Sequence, residues 1–325
     1  MKIILAAVRL KSLVFQGMKR TIGEERMIKL IEYTRGLYRY PKKMLGREFQ
    51  DNIKQEADIL VFAAHPDDEV LGLSSILYSH QKKRENAVVT YVTNGSGLIG
   101  ESWRMPEAFS KDRAEERYRE GLQGLSLLNI PEENVYCLGF PDAGTHRYLN
   151  EIAKDVLFLM EKYQPKKVYV HCMEGGHNDH DITSYVVKSV CKKLDFSNVY
   201  EWAEYNQLQP LGTEDIRFRN CKSTETEETL MKLSGAQYKL KKQMLACHKS
   251  QDVAKYYLMG EAIRKADLDD LEKELLAYSN FQEASIRPLI TQFSKFINHL
   301  QINESTVHGK LYHSKNKMKK LMNGR

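Results

Sequence analysis

The chain has 325 residues, 42% hydrophobic and 28% charged. This is the composition of a soluble globular protein, long enough for one large α/β domain with additions or for two domains, and no run approaches the ~20 apolar residues that cross a bilayer. Charge is concentrated at the ends: residues 1–55 carry +8 and residues 309–325 carry +6 against +6 for the whole, so residues 56–308 carry −8.

At the N-terminus, MKIILAAVRLKSLVF is apolar but interrupted by Arg9 and Lys11. With no clean small-residue cleavage site it reads as a poor signal peptide. Residues 1–55 form a basic extension, helical around GEERMIKLIEYTRGLY, with a boundary near residue 55. Next comes an alternation. DILVFAAH (58–65) reads as a buried strand and EVLGLSSILYSHQKK as a helix. AVVTYVTNG (87–95) is a second strand and KDRAEERYREGLQGLSLL (111–128) a helix. NVYCLGF (134–140) is a third strand, followed by the helix LNEIAKDVLFLMEKY (149–163). KKVYVHC (166–172) is a fourth strand, DITSYVVKSVCKKL (181–194) a helix and NVYEWAEYN (198–206) a fifth strand. Short β-branched runs separated by helices of this length imply βαβ units, an α/β fold on a mostly parallel sheet with flanking helices. Beyond residue 224 the spacing predicts mostly helix, and the basic tail from Gly309 reads as frayed. The domain reading is thus residues 1–55, a central domain 56–265, and a C-terminal helical extension 266–325.

The five cysteines, Cys137, Cys172, Cys191, Cys221 and Cys247, form no CxxC pair and read as reduced thiols of a cytoplasmic protein. The basic N-terminal arm suits an anionic membrane surface, which would make the protein peripheral to the membrane. No nucleic-acid motif is present, so no nucleic acid is expected as partner. A homo-oligomer is compatible with the sequence.

The chemistry lies in two clusters. His65, Pro66, Asp67 and Asp68 follow directly on a strand and open a helix, and His177, Asp179 and His180 follow the strand KKVYVHC after a Gly-Gly turn. In open parallel sheets, ligands bind just outside the carboxyl ends of the strands, so both clusters share one edge. A catalytic zinc centre takes three protein ligands and a water. His65 and Asp68 can bind together across one tight turn, with His180 or His177 supplying the distant ligand. Asp67 is then placed to take a proton from water. The remaining histidine can stabilise an oxyanion or protonate a leaving amine, with an adjacent aspartate orienting it. HPDDE alone can be an ordinary helix start and the second cluster alone a surface turn; both at strand ends of one α/β chain point to a metal site.

HPDDE (65–69) after an apolar strand, with GHNDH (176–180) downstream, resembles the PIG-L/LmbE-like zinc-dependent N-acetylglucosamine de-N-acetylases, from about Ala57 to Arg264. The resemblance implies a Rossmann-like fold and removal of acetyl from an N-acetylglucosaminyl conjugate (small molecule, lipid-linked sugar or glycan). It assigns His65, Asp68 and His180 to Zn2+, or another divalent ion, and Asp67 to the general base. His177 becomes the oxyanion or acid histidine, with Asp179 its partner. Arg117 and Asp142 match substrate-binding positions, Glu120 falls in the same helix motif as Arg117, and His248, Ser250 and Gln251 resemble a pocket-bordering motif. Departures are Asn129 for a glycine, Asn178 for a frequent proline, Gly175 for a tyrosine of some members, and a Gly95 turn without the usual acid.

Two other readings compete. His65 and Asp67 with a distant histidine satisfy the facial triad of an Fe(II) oxygenase, which predicts a β-sandwich. A non-catalytic metal-containing binding protein is the other; retention of Asp67 beside the ligands argues against it, because binding has no use for a base.

Overall fold

Ile59–Ala63 (β1) is five buried residues, ILVFA, with no polar face. A strand of that kind needs cover on both sides, which parallel sheets receive from their crossover helices. The computed structural model describes residues 15–37, 55–97, 100–219 and 228–302. It shows that cover: Leu60 and Phe62 enter one apolar cluster and Ile59, Val61 and Ala63 the other, as period-two alternation requires.

The order in sequence is α1 (Glu24–Thr34), β1, α2 (Asp68–Lys82), β2 (Ala87–Thr93), α3 (Glu107–Ser126), β3 (Val135–Phe140), α4 (Leu149–Tyr163), β4 (Lys167–His171), α5 (Asn178–Lys193) and β5 (Val199–Ala203). It continues with β6 (Thr229–Leu230), α6 (Gly235–Leu245), β7 (Ala262–Lys265), α7 (Leu271–Tyr278) and α8 (Glu283–His299). The sheet runs β3-β2-β1-β4-β5-β7-β6, with β1 to β5 parallel. This is the expected α/β architecture, and it removes the β-sandwich that the oxygenase reading required. Strand order reverses between β1 and β4, so the loops leaving these two strands border the crevice at the switch point.

One face of the sheet is covered by α2, α3 and α6 through Val70, Leu73, Leu77, Tyr118, Leu125 and Met244. The other is covered by α4, α5, α7 and α8, with Ile152, Val186, Leu275 and Phe293 in its core. The helices after residue 265 therefore share the main core rather than building their own.

Two details correct the sequence reading. Beyond residue 224 mostly helix is expected, yet β7 pairs antiparallel with β5, and β6 with β7. Four residues are too few to display periodicity, and β7 is placed by its pairing with β5, across which Arg264 meets Glu201 at 2.6 Å. The fourth crossover helix also begins earlier, at Asn178 rather than 181, so the second histidine cluster lies on its first turn.

Cys137, Cys172, Cys191 and Cys247 are free thiols. No helix among the described residues is long and apolar enough to cross a membrane. The tail from Gly309, Cys221 and most of the basic arm lie outside the described residues.

Candidate active site

The turn after β1 is built around its aspartates. Asp67 caps α2 with φ 127°, a conformation non-glycine residues rarely adopt. It is held from two sides. Its N–H donates to Glu69 Oε2 at 3.2 Å, and Glu69 Oε1 accepts from the Tyr91 hydroxyl at 2.7 Å. Its Oδ1 accepts from Arg117 Nη2 at 3.0 Å, and the guanidinium also donates to Pro66 O and Gly95 O, each at 2.9 Å. Asp68 Oδ2 accepts the His65 N–H at 2.7 Å.

The turn after β4 meets this one. Asp68 Oδ2 lies 3.3 Å from His65 Nδ1 and 3.4 Å from His180 Nε2. His177 caps α5, accepting the Asp179 N–H on Nδ1 at 3.2 Å. In the neutral imidazole that leaves the proton on Nε2, a donor. The Asp179 carboxylate is 3.9 Å from His177 Nδ1 and turns elsewhere: to His65 Nε2 at 3.3 Å, and to the Ala143 N–H, Thr145 N–H and Thr145 hydroxyl at 2.6, 3.2 and 2.5 Å. Asp142 Oδ1 approaches His65 Nε2 at 3.4 Å, while its Oδ2 accepts the Gly97 N–H at 2.9 Å. His65 therefore gives Nε2 to two carboxylates and keeps Nδ1 toward Asp68. That is the arrangement by which a carboxylate fixes the tautomer of a metal-binding imidazole.

The structure thus brings His65, Asp67, Asp68, Asp142, His177, Asp179, His180 and Arg117 together. Arg117 and Asp142 are expected to contact sugar, yet they are 6% and 2% exposed, and Arg117 Nη1 and Nη2 and Asp142 Oδ2 already bond to protein groups. Glu120 does not pair with Arg117: it accepts from the Ser250 N–H and hydroxyl at 2.8 and 2.6 Å. Gln251 donates to Ser250, and His248 is buried with no hydrogen bond to either ring nitrogen.

Sequence reasoning missed His171 and Glu204. His171 closes β4, stacks on His180 with ring centroids 3.9 Å apart, and puts Nε2 3.2 Å from Asp68 Oδ2 and Nδ1 3.5 Å from Glu204 Oε2. A histidine ending an apolar strand, as His65 does just past β1, is the signal that marks it.

Electrostatics prepare the cluster for a cation. Burial pushes Asp68 up, but His180 and His65 outweigh it and hold the carboxyl well below its usual range. Burial keeps His180 and His177 neutral, both below the ordinary imidazole value. Burial opposes protonation of His65, but Asp142 and Asp68 reverse the balance and raise it. Burial lifts Asp67 to about 7, with Arg117 opposing and Asp68 adding. Metal ligands must be ionised carboxylate and neutral imidazole; the shifts of Asp68 and His180 run that way, whereas His65 has to give up its proton to bind an ion.

The donor set fits a divalent ion. Both His180 ring nitrogens are buried without a hydrogen bond, although Nε2 faces Asp68. Among the described residues, ligand atoms of His65, His177 and His180 fall within 4.8 Å of one another, as do those of Asp68, His171, His180 and Glu204. Two imidazoles and a carboxylate are a catalytic zinc-type set.

A parallel sheet with such a cluster at its switch point has the residues to hold a divalent ion where α/β enzymes bind their ligands. Residues 60–191 match the family model PIG-L, described as GlcNAc-PI de-N-acetylase. No curated protein sequence matches. Among solved structures the chain is similar to the A40926 pseudoaglycone deacetylase Dbv21, at 15% identity over 65% of this chain and 97% of that one, with a TM-score of 0.50. It is similar to a triple mutant of a deacetylase of teicoplanin biosynthesis (16% identity, 63% and 96% covered, TM-score 0.49). It is also similar to the N,N'-diacetylchitobiose deacetylase of Pyrococcus horikoshii (18%, 70% and 80%, 0.45). Likeness at these identities speaks for the fold alone.

Proposed function

We propose that the chain is a zinc-dependent hydrolase that removes the acetyl group from an N-acetylglucosaminyl conjugate. One observation carries this reading: Asp68 Oδ2 sits within 3.4 Å of nitrogens on both His65 and His180, from loops 115 residues apart, with a second carboxylate, Asp67, beside it. The family match over residues 60–191 supports it.

His65, Asp68 and His180 would hold the ion. A bound Zn2+ supplies Lewis-acid polarisation of an amide carbonyl and lowers the pKa of water. Asp67, lifted to about 7 by burial, takes the water's proton near neutral pH. His177 presents Nε2–H to the developing oxyanion, and the proton that Asp67 took from water passes to the departing amine. Its side chain is 32% exposed, whereas His65, Asp68, His180 and Asp179 are at most 8% exposed, so substrate enters on the His177 side. The N-termini of α2 and α5 both face the cluster and add positive potential for that charge. Asp179 serves His65 by its carboxylate and His177 by its backbone. The contacts of Arg117 and Asp142 favour positioning of Asp67 and His65 over contact with sugar.

A panel of N-acetylated sugar conjugates assayed for released acetate, with a chelator arm, tests the reading; release unaffected by chelator would overturn it. The basic arm would hold the enzyme against anionic lipid, and co-sedimentation of the full chain with phosphatidylserine against phosphatidylcholine vesicles tests that point; equal binding to the two removes it.

A further inference from the structure

The loop after β3 does two jobs at the site. Asp142 faces His65, and the Ala143 N–H, Thr145 N–H and Thr145 hydroxyl fix the Asp179 carboxylate. The loop is not relaxed. Ala143 has φ 58°, in the left-handed region, and such a conformation persists only where surroundings impose it.

The surroundings come from α1, which lies ahead of the family-matched residues 60–191. Glu32, fully buried, accepts from Arg147 Nη2 at 2.8 Å on Oε1, and from Arg147 Nε at 3.2 Å and the Tyr148 hydroxyl at 2.6 Å on Oε2. The Arg147 side chain is 1% exposed. It also meets Glu25 at 3.0 Å and Glu101 at 2.5 Å, so two carboxylates remain if Glu32 is neutralised. The loop packs directly on this pair: a Cβ at Gly144 would stand 2.6 Å from Arg147 Nη2 and 3.2 Å from Glu32 Oε1. Lys29 of the same helix donates to Arg147 O at 3.0 Å, fastening the loop's end a second time.

We infer that Glu32 is a positioning residue for the deacetylase site, acting through Arg147 and Tyr148 to hold residues 142–145 where they fix Asp179 and face His65. The N-terminal helix is then part of the site's architecture rather than an appendage. This rests on the site assignment above. A merely structural role for Glu32 would lower overall stability without singling out this loop.

Two readouts on the full chain separate these cases: amide hydrogen exchange, and the division of effect between kcat and KM. In Glu32→Gln the Ala143 and Thr145 amides should exchange at least ~10-fold faster while those of β1 and β4 stay protected. Its kcat on the best substrate of the panel should fall about 10-fold with KM within twofold, the scale of outer-shell substitutions at metal sites. Tyr148→Phe, which removes one hydroxyl, should move both readouts the same way by less. Glu24→Gln, half-exposed and paired with Lys19, should move neither. Unchanged exchange at residues 143–145 overturns the inference, as does acceleration spread evenly over the sheet, or a loosened loop with unchanged kcat. A wild-type chain that releases acetate from nothing in the panel sinks the assigned reaction instead, while the exchange arm still judges the latch.

Discussion

Arg117 Nη2 donates to Asp67 Oδ1 across 3.0 Å, and both side chains are at most 8% exposed. The guanidinium's other bonds go to Pro66 O and Gly95 O, so a single planar fork ties α3 to the turns after β1 and β2. Lysine cannot reproduce that fork. Arg117→Lys should therefore lower kcat by about 10- to 100-fold with KM nearly unchanged, as loss of an orienting partner does. Steady-state kinetics decide it: a raised KM at constant kcat would return Arg117 to sugar binding.

Gly176 precedes His177, and a Cβ there would fall 1.8 Å from the backbone oxygen of Tyr205. Only displacement of the loop relieves that contact. Gly176→Ala should cost about 1–3 kcal/mol of stability and most of the activity, read by denaturant melts and acetate release. A fully active variant would show that His177 tolerates movement.

Lys188, Glu201 and Arg264 form a buried ion cluster joining α5, β5 and β7; Glu201 contacts Lys188 and meets Arg264 at 2.6 Å, with all three side chains at most 7% exposed. Removing the acid leaves two cations without their main partner. Glu201→Gln should destabilise by about 3–5 kcal/mol, measured by urea unfolding. A loss under ~1 kcal/mol, the level of exposed pairs, would mean that water reaches the cluster.

Burial pushes Glu174 up to about 7, with hydrogen bonds from the Glu204 N–H and the Asn206 amide opposing. Its folded value lies above the unfolded one, so the folded state holds the proton longer. Stability from this group is therefore full below about pH 4.5 and is lost as pH rises toward 7. Glu174→Gln should flatten that fall, raising stability relative to wild type at pH 8 by up to roughly 3 kcal/mol. Melts at pH 4.5 and 8 test the sign; a wild-type advantage that grows with pH would contradict it.

Much of this was legible in the chain. ILVFA ending at His65 and KVYVH followed by GGHNDH are strand-then-ligand signals whose local chemistry does not depend on the rest of the fold. The crossover pattern gave the parallel sheet, and with it the shared edge for both clusters. What stayed hidden was long-range. Glu204, beside His171, has no local signature, and β7 is defined by its pairing with β5 rather than by its own four residues. Glu32 reads as one more charge on an amphipathic helix until Arg147, 115 positions away, is seen beneath it. Arg117 and Asp142 were found by motif, yet their burial, which favours orienting over touching, appears only in three dimensions.

The most direct test is a zinc titration of the metal-stripped full chain against its His65→Ala, His180→Ala and Asp67→Asn variants. Binding of one ion per chain is expected, at least ~100-fold weaker in either histidine variant, since each deletes a ligand, and unchanged in Asp67→Asn, which should release no acetate. A His180→Ala chain that binds zinc as tightly as wild type would show that the turns after β1 and β4 do not share an ion.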